Sequence, residues 1–165
     1  MKPRRVSVRG IIFKDGKLLC VRHRANDGTG KPNYATPGGG LEVLEGLEDG
    51  IRRELIEETG VAPVVGKLLF IQQFESERGF ETLDFFFHIE NPQDYESINL
   101  EETTHGVQEI SEIGFVDPTT SPVLPSFLTE LDIASHVNEH KPVLIYNNMV
   151  KQDNYFLRSR PRLTS

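Results

Sequence analysis

The sequence contains very little cysteine, and this scarcity excludes two kinds of stabilising site. Cys20 is the single cysteine among 165 residues, so neither an intrachain disulfide nor a zinc site built from several thiolates can form. The residues around it, Leu18, Leu19 and Val21, are apolar. This setting predicts that Cys20 is a small residue of the hydrophobic core.

Net positive charge and long apolar runs are also missing. Eighteen Lys and Arg stand against 25 Asp and Glu, a formal net charge of −7, which argues against a protein that coats duplex nucleic acid. Apolar runs such as 68–71 reach about four residues, far short of the roughly 20 that span a bilayer, and residues 1–5 lack the pattern of a leader. We therefore expect a cytoplasmic protein with no membrane partner, which meets a phosphate-rich substrate through local Arg and Lys or metal cations.

The apolar content and its patterning predict one α/β domain over residues 1–165. Apolar residues make up 37% and charged residues 26% of the chain, a balance that excludes intrinsic disorder. The pattern predicts strands over 4–13, 18–24, 64–75, 80–90, 107–116 and 143–146, and helices over 47–59 and 125–138. Strands mixed with two helices indicate an α/β fold. The basic segment 151–165 has three open roles: docking on the domain, contacting a second subunit in a homodimer, or reaching toward the substrate.

The predicted helix 47–59 carries an acidic face. Glu54, Glu57 and Glu58 are three and four residues apart, so their carboxylates lie on the same side of the helix. Like charges at this spacing repel each other, and hard divalent cations such as Mg²⁺ prefer clustered carboxylate oxygens. A solvated surface is the alternative interpretation of these three residues taken alone.

The residues around this helix resemble the signature of the Nudix hydrolases. All nine specified positions are matched: Gly39, Glu45, Arg53-Glu54-Leu55, Glu57-Glu58 and Gly60-Val61. The flanking chain agrees more loosely, with a predicted strand hairpin before the signature and Pro37 just ahead of the glycines. The resemblance implies the Nudix fold, a mixed β-sheet sandwiched between α-helices.

The same resemblance implies metal-dependent hydrolysis of a nucleoside diphosphate linked to another moiety, with water attacking phosphorus. The implied ligands of Mg²⁺ or Mn²⁺ are the Gly39 carbonyl and the side chains of Glu54, Glu57 and Glu58. Glu54 is alternatively the general base, Arg53 would orient the carboxylates, and Glu45 would brace the loop. The metal would neutralise phosphate oxygens and lower the pKa of bound water, while a carboxylate removes the proton.

Members of this family often take one more acidic base or ligand from a downstream segment. Glu109 and Glu112, both in the predicted strand 107–116, are the candidates. The alternative for either residue is an outward-facing position on the strand.

Three residues outside the signature are candidates for substrate binding. Arg22 and Arg24 end the second predicted strand on the same side, so either could clamp a phosphate; the alternative is a surface cation. Tyr34, just before the glycines, could stack on a nucleobase or could lie at the edge of the core.

The sequence does not identify the substrate, because the residues that mark the subfamilies are mostly missing. Nucleoside triphosphates, dinucleoside polyphosphates, ADP-ribose and nucleotide sugars all remain candidates. The alternative function is a non-catalytic nucleotide-binding sensor with the same fold. Such domains usually lose a signature glutamate, and this chain keeps every one.

Two further patterns are explained by the predicted fold rather than by a second function. Isomerase chemistry on an isoprenoid diphosphate would use a catalytic cysteine, and Cys20 lies in a predicted strand outside the site. His136 to His140 fits a zinc-protease pattern, but it falls at a predicted helix end, and Asp153 is the carboxylate left downstream as a third ligand. We expect a polar helix terminus there rather than a zinc site.

Overall fold

The chain builds two β-sheets in a computed structural model that describes residues 3–76 and 78–149 and the backbone of 161–163. The strands are β1 (Arg4–Ile11), β2 (Phe13–Lys14), β3 (Lys17–His23), β4 (Tyr34–Ala35), β5 (Gly38–Gly40), β6 (Val65–Glu75), β7 (Glu81–Ile89), β8 (Ile110–Val116), β9 (Val123–Leu124), β10 (Leu144–Asn148) and β11 (Pro161–Leu163). The helices are α1 (Leu47–Thr59), α2 (Gly106–Glu109) and α3 (Ile133–Asn138), with 3₁₀ turns at Pro92–Tyr95, Leu100–Glu102 and Ser126–Thr129.

The larger sheet is mixed, as the resemblance implies. Its six strands follow the order β11-β10-β6-β7-β1-β5; β1 is parallel to β7 and β10 is parallel to β6, while the other pairs are antiparallel. The smaller sheet has the order β2-β3-β4-β9, and β8 also pairs with β3. The parallel β1–β7 pair places Ser7 opposite Asp84, a register that shapes the cavity described below.

The larger sheet lies between α1 on one face and α3 on the other. Ile51 and Leu55 of α1 are fully buried and belong to the same hydrophobic cluster as Phe87 of β7. Phe86 of β7 belongs instead to the second cluster, together with Ile133 of α3. Successive residues of a strand point to opposite faces, so β7 serves both cores. Burying a side chain of this size stabilises the fold by about 1.5–3 kcal/mol, and the expected sandwich of sheet and helices is confirmed.

Cys20 lies in the core, as its apolar neighbours predict. It is fully buried in β3, and burial raises the pKa of its thiol to about 12. The thiol therefore stays protonated and acts as a small apolar side chain.

The predicted helix 125–138 is wrong as a single element. The structure has a 3₁₀ turn at Ser126–Thr129 and a separate helix α3 that begins at Ile133. The break arises at Asp132, whose carboxylate accepts a hydrogen bond from the backbone N–H of Ser135 and so caps a new helix. Across residues 3–76 and 78–149, none of the helices has both the length and the apolar character needed to traverse a bilayer.

The predicted strand 107–116 begins later, at Ile110. Residues 106–109 form the short helix α2, and the Thr103 hydroxyl accepts a hydrogen bond from the Gly106 N–H at 2.8 Å. Glu109 therefore ends a helix instead of lying in a strand. The glycine run 38–40 forms β5, which pairs with β1.

Two non-glycine residues among those described adopt the left-handed backbone conformation. Asp15 (φ 51°) precedes Gly16 (φ 75°) in the β2–β3 hairpin, where a type I′ turn requires positive φ at both central positions. Leu44 has φ 65° in the loop before α1, and its side chain is fully exposed. Nothing in the packing therefore offsets the steric cost of this conformation at Leu44.

We expect Leu44→Gly to stabilise the protein by up to about 1 kcal/mol. A non-glycine residue in the left-handed region costs about 1–2 kcal/mol, and glycine returns about 0.5–1 kcal/mol of that through its greater freedom in the unfolded chain. Urea unfolding measures the difference. Val43→Gly is the matched control, because Val43 is also exposed but does not have a positive φ, so it should be destabilised. Equal destabilisation of both variants would contradict the argument.

Candidate active site

The glycine strand β5 is fastened to both β1 and α1. Gly38 has φ 138°, and a Cβ there would lie 2.1 Å from the Val8 carbonyl oxygen, so the close approach to β1 requires glycine. The Gly38 N–H donates a hydrogen bond of 2.9 Å to Glu58 Oε2. This bond ties the carboxyl-terminal part of α1 to the strand.

Arg53 gathers the acidic side chains of the signature. Its Nε and Nη2 donate to the two carboxylate oxygens of Glu45 at 2.7 and 2.9 Å. Its Nη1 donates to Glu54 at 3.0 Å and to Glu57 at 3.2 Å, and Nη2 also donates to the Gly40 carbonyl at 3.0 Å. The planar, forked guanidinium can make all these bonds at once. The Arg53 hydrogen bonds lower the pKa of Glu45 to about 2.

Glu58 is a buried carboxylate with an unusual proton affinity. The residue is only 2% exposed. Burial raises the pKa of its carboxyl group to about 8, although the Gly38 N–H and the charge of Arg9 act in the opposite direction. The negative charges of Glu54 and Glu109 contribute to the increase. A bound cation would favour the ionised form of such a group.

The Glu54 carboxylate lies directly against the glycine strand. A Cβ added to Gly39 would lie 2.5 Å from Glu54 Oε2, so only a residue without a side chain leaves this space to the carboxylate. Burial raises the pKa of Glu54 above its ordinary value, while Arg53 opposes the change. The structure thus brings together the Gly39 backbone and the acidic face of α1.

These oxygen donors fit a hard divalent cation in kind. Carboxylates and a backbone carbonyl are the ligands that Mg²⁺ and Mn²⁺ prefer. As they stand, no three His, Cys, Asp or Glu side chains within 3–76 and 78–149 are grouped to hold a metal ion. Glu54 and Glu57 accept from Arg53, and Glu58 accepts from Gly38. A metal ion would therefore compete for oxygens that are hydrogen-bonded within the protein.

We expect Glu58 to make the stability of the metal-free protein depend on pH. Its folded-state pKa, about 8, lies above the ordinary 4.5, so its stabilising contribution is complete below about pH 4.5 and is lost as the pH rises toward 8. In EDTA, the unfolding free energy of wild type relative to Glu58→Gln should fall over this window, by at most about 1.4 kcal/mol per pH unit. Glu48→Gln, on the exposed side of α1, should track the wild type. A constant difference between wild type and Glu58→Gln would contradict this.

The two downstream acids occupy different surroundings. Glu109 ends α2, and its charge is close enough to Glu58 to raise the pKa of that residue. Glu112 lies on β8, where it accepts a hydrogen bond from the Tyr34 hydroxyl at 2.9 Å and lies 3.4 Å from Arg22 Nε. Of the two, Glu109 is the one whose charge acts on a carboxylate of α1, whereas the side chain of Glu112 contacts Tyr34 and Arg22.

The three predicted substrate-binding residues make contacts within the protein. The Arg22 guanidinium stacks over the Tyr34 ring at 4.3 Å. Arg24 donates from Nε to the Val107 carbonyl at 2.9 Å and from Nη1 to the Gly28 carbonyl at 3.3 Å. None of the three is among the residues that line the two cavities described next.

A basic cavity beside the signature loop was not predicted. It has a volume of about 800 Å³ and reaches Gly40 and Leu41. Its cationic lining residues are Arg4, Arg5, Arg9, Lys31 and Arg78. The alternation of β1, which puts residues 5 and 9 on one face, is a sequence signal that could have identified two of them. The protein is acidic overall, but this cavity would attract an anion.

A second, less polar cavity adjoins the first. It has a volume of about 380 Å³, and its lining includes Gln72 and Phe86. Arg9, Phe74 and Asp84 line both cavities, so the two spaces meet at these residues. Arg9 is held there by donating to the carbonyl oxygens of Thr36 and Gly38.

One histidine, His105, contacts the acidic face of α1, whereas a second, His136, packs against a core residue. His105, also missed by the sequence reasoning, lies with Nδ1 3.4 Å from Glu57 Oε2 and donates its backbone N–H to the Glu57 carbonyl. His136, from the zinc-protease pattern, packs edge-on against Phe70 at 5.3 Å between ring centroids. Asp153 and the side chains of the basic segment 151–165 lie outside the described residues.

Several known proteins resemble this chain in sequence or in fold. The chain is 44% identical to an ADP-ribose pyrophosphatase of Methanocaldococcus jannaschii over 64 residues, 39% of this chain and 37% of that protein. It is 41% identical to a MutT-like protein of Streptomyces ambofaciens over 81 residues, 48% of this chain and 49% of that protein. The matched segments thus span about half or less of these curated relatives. The solution structure of the E. coli ORF135 protein shares the fold, with a TM-score of 0.63 at 23% identity, over 81% of this chain and 91% of that one.

The family assignment follows from the extent of the match and the placement of the signature. The sequence profile of the NUDIX domain matches residues 3–129, which is most of the chain. Within that range, the signature residues form the glycine strand, the loop and α1. The chain therefore belongs to the NUDIX domain family.

Proposed function

We propose that the protein is a Nudix pyrophosphohydrolase that cleaves a phosphoanhydride bond in a nucleoside diphosphate linked to another moiety. The observation that carries the proposal is the acidic face of α1, held by Arg53 against the Gly39 backbone next to a basic cavity. The carboxylates would hold a divalent cation, and the cation would neutralise the charge of an anion attracted into that cavity. Neither the carboxylates nor the cations alone would serve this chemistry.

The proposed metal is Mg²⁺ or Mn²⁺, held by the Gly39 carbonyl and by Glu54, Glu57 and Glu58. When bound, it neutralises phosphate oxygens and lowers the pKa of a water ligand. Arg53 positions the carboxylates, and Glu45 fixes the Arg53 fork through its two short hydrogen bonds.

Glu109 is the proposed additional acid of the site, in preference to Glu112. Its charge already acts on Glu58, whereas the Glu112 carboxylate is occupied by Tyr34 and Arg22. A carboxylate near the metal ligands can take the proton of the attacking water. Glu54 remains the other candidate for that base, since burial raises its pKa as well.

The phosphate groups of the substrate are proposed to bind in the basic cavity. Arg5, Arg9 and Lys31 line it beside the signature loop. Arg22 and Arg24 line neither cavity, so the cavity cations are favoured over them. Nucleoside triphosphates, dinucleoside polyphosphates, ADP-ribose and nucleotide sugars are all candidate substrates, and one relative is named an ADP-ribose pyrophosphatase.

A substrate screen tests the proposal directly. Members of each candidate class are incubated with Mg²⁺ or Mn²⁺, and the products are identified by mass. We expect metal-dependent release of a nucleotide product from at least one class and none in EDTA. Nucleotide binding without cleavage of any compound would overturn the proposal in favour of a non-catalytic sensor.

A further inference from the structure

Asp84 is a buried acid whose position the proposed hydrolysis leaves unexplained. It lies in β7 and is 6% exposed, and burial raises its pKa above the ordinary value. The Ser7 hydroxyl is a hydrogen-bond donor to the Asp84 carboxylate. The Oδ1 atom of Asp84, however, is buried without any hydrogen-bond partner among the described residues. An unpaired buried carboxylate oxygen is costly to the fold, which suggests that a ligand supplies the missing donor.

The surroundings of Asp84 indicate what kind of ligand this is. Asp84 stands where the basic cavity meets the smaller one. Phe74 is partly exposed and gives the smaller cavity an aromatic surface, which suits a flat ring. The larger cavity presents cations, which suit a chain of phosphates. A ligand that fills both spaces has a planar aromatic end and a polyanionic end, as a nucleotide does.

Gln72 adds a second polar group at the same point. It is opposite Asp84 in the antiparallel β6–β7 pair, is buried and lines the smaller cavity. Opposed residues of such a pair have neighbouring side chains. The carboxylate only accepts hydrogen bonds when ionised, while the amide both donates and accepts, so together they can match the edge of a nucleobase.

We propose that Asp84 sets the base preference of this site by accepting a hydrogen bond from the exocyclic amine of a nucleobase seated against Phe74. This inference rests on the proposed function for the identity of the ligand as a nucleotide. A base with a carbonyl oxygen in place of the amine would set two acceptors against each other and leave Oδ1 unpaired. Sites with such a buried polar group reject the mismatched ligand more strongly than apolar pockets reject a change in size.

The test compares substrates that differ by an amine-to-carbonyl exchange. The kcat/KM values are measured for CTP against UTP and for ATP against ITP. We expect the amine-bearing member to be favoured at least about tenfold in the pair that is turned over faster, and Asp84→Asn to reduce this ratio below about threefold. The asparagine keeps the shape of the side chain and can present a donor or an acceptor. Asp15→Asn, in the exposed hairpin turn, should leave the ratio unchanged.

Equal kcat/KM values for both members of each pair in the wild type would overturn the inference, and this result needs no variant that must fold. An unchanged ratio in a folded Asp84→Asn protein would overturn it as well. Binding of CMP against UMP and of AMP against IMP, measured by calorimetry in EDTA, separates the two claims. Selective binding without hydrolysis would overturn the proposed function and support the role of Asp84, whereas hydrolysis without selectivity would do the reverse.

Discussion

Glu58→Gln should lower kcat/KM in the presence of Mg²⁺ about 10³-fold while the protein stays folded. A metal ion supplies several kcal/mol of stabilisation to the transition state, and about 4 kcal/mol corresponds to this factor. A neutral amide is a weaker ligand of a hard cation than a carboxylate, because it lacks the negative charge. The amide oxygen can still accept the hydrogen bond from the Gly38 N–H that Glu58 receives, so the link between α1 and β5 should survive.

Steady-state kinetics with the substrate found in the screen measure this effect, and thermal unfolding in EDTA checks the fold. Glu57→Gln should behave in the same way, because Glu57 belongs to the same proposed ligand set. Glu48→Gln supplies the control, since it makes the same chemical change on the exposed side of α1. Near-normal kcat/KM in both Glu57→Gln and Glu58→Gln would refute the metal site.

Arg53→Lys should lower kcat/KM about 10²-fold and destabilise the protein by about 2 kcal/mol. Arg53 makes five hydrogen bonds to Glu45, Glu54, Glu57 and the Gly40 carbonyl. A lysine keeps the charge but lacks the fork that reaches several carboxylates at once. Hydrogen bonds to charged groups contribute about 1.5–3 kcal/mol each when they are lost, and the lysine retains part of this set. Misplacing the carboxylates costs about as much activity as losing an outer-sphere partner of a metal ligand.

Arg52→Lys is the matched control for this experiment. Arg52 is the neighbouring residue on α1, is exposed, and donates one hydrogen bond to the Pro63 carbonyl, which a lysine can also do. Urea unfolding and kcat/KM are measured for both variants. If Arg53→Lys matched Arg52→Lys in both quantities, the positioning role of Arg53 would be lost.

The acidic face of α1 could be predicted from the sequence because its geometry is local. The spacing of Glu54, Glu57 and Glu58 fixes their common side once the segment is helical, and Gly60 ends the helix with φ 75°, as a glycine at that position predicts. The core position of Cys20 follows from its immediate neighbours for the same reason. Patterns within one element need no knowledge of the rest of the chain.

The cavities could not be predicted, since they depend on which strands lie side by side. Arg9 and Asp84 come together only because β1 pairs with β7 in parallel, and 74 residues separate them in the sequence. The sequence pattern predicts a strand at Glu109, because the hydrogen bond from the Gly106 N–H to the Thr103 hydroxyl in the first turn of α2 is not part of that pattern. Arg22 and Tyr34 have the residue types of a binding site, but in the fold they meet Glu112 and each other.

Successive side chains of β7 point to opposite faces of the sheet, and the two faces have different roles. Phe85 and Phe87 support the core beneath α1, whereas Asp84 and Phe86 line the cavity on the opposite face. Because Asp84 lies on the face of the sheet opposite α1, whereas Phe86 also belongs to the core beside α3, a library at position 84 would vary the cavity without altering the face that packs against α1. This position is therefore a natural starting point for changing which compound the site accepts.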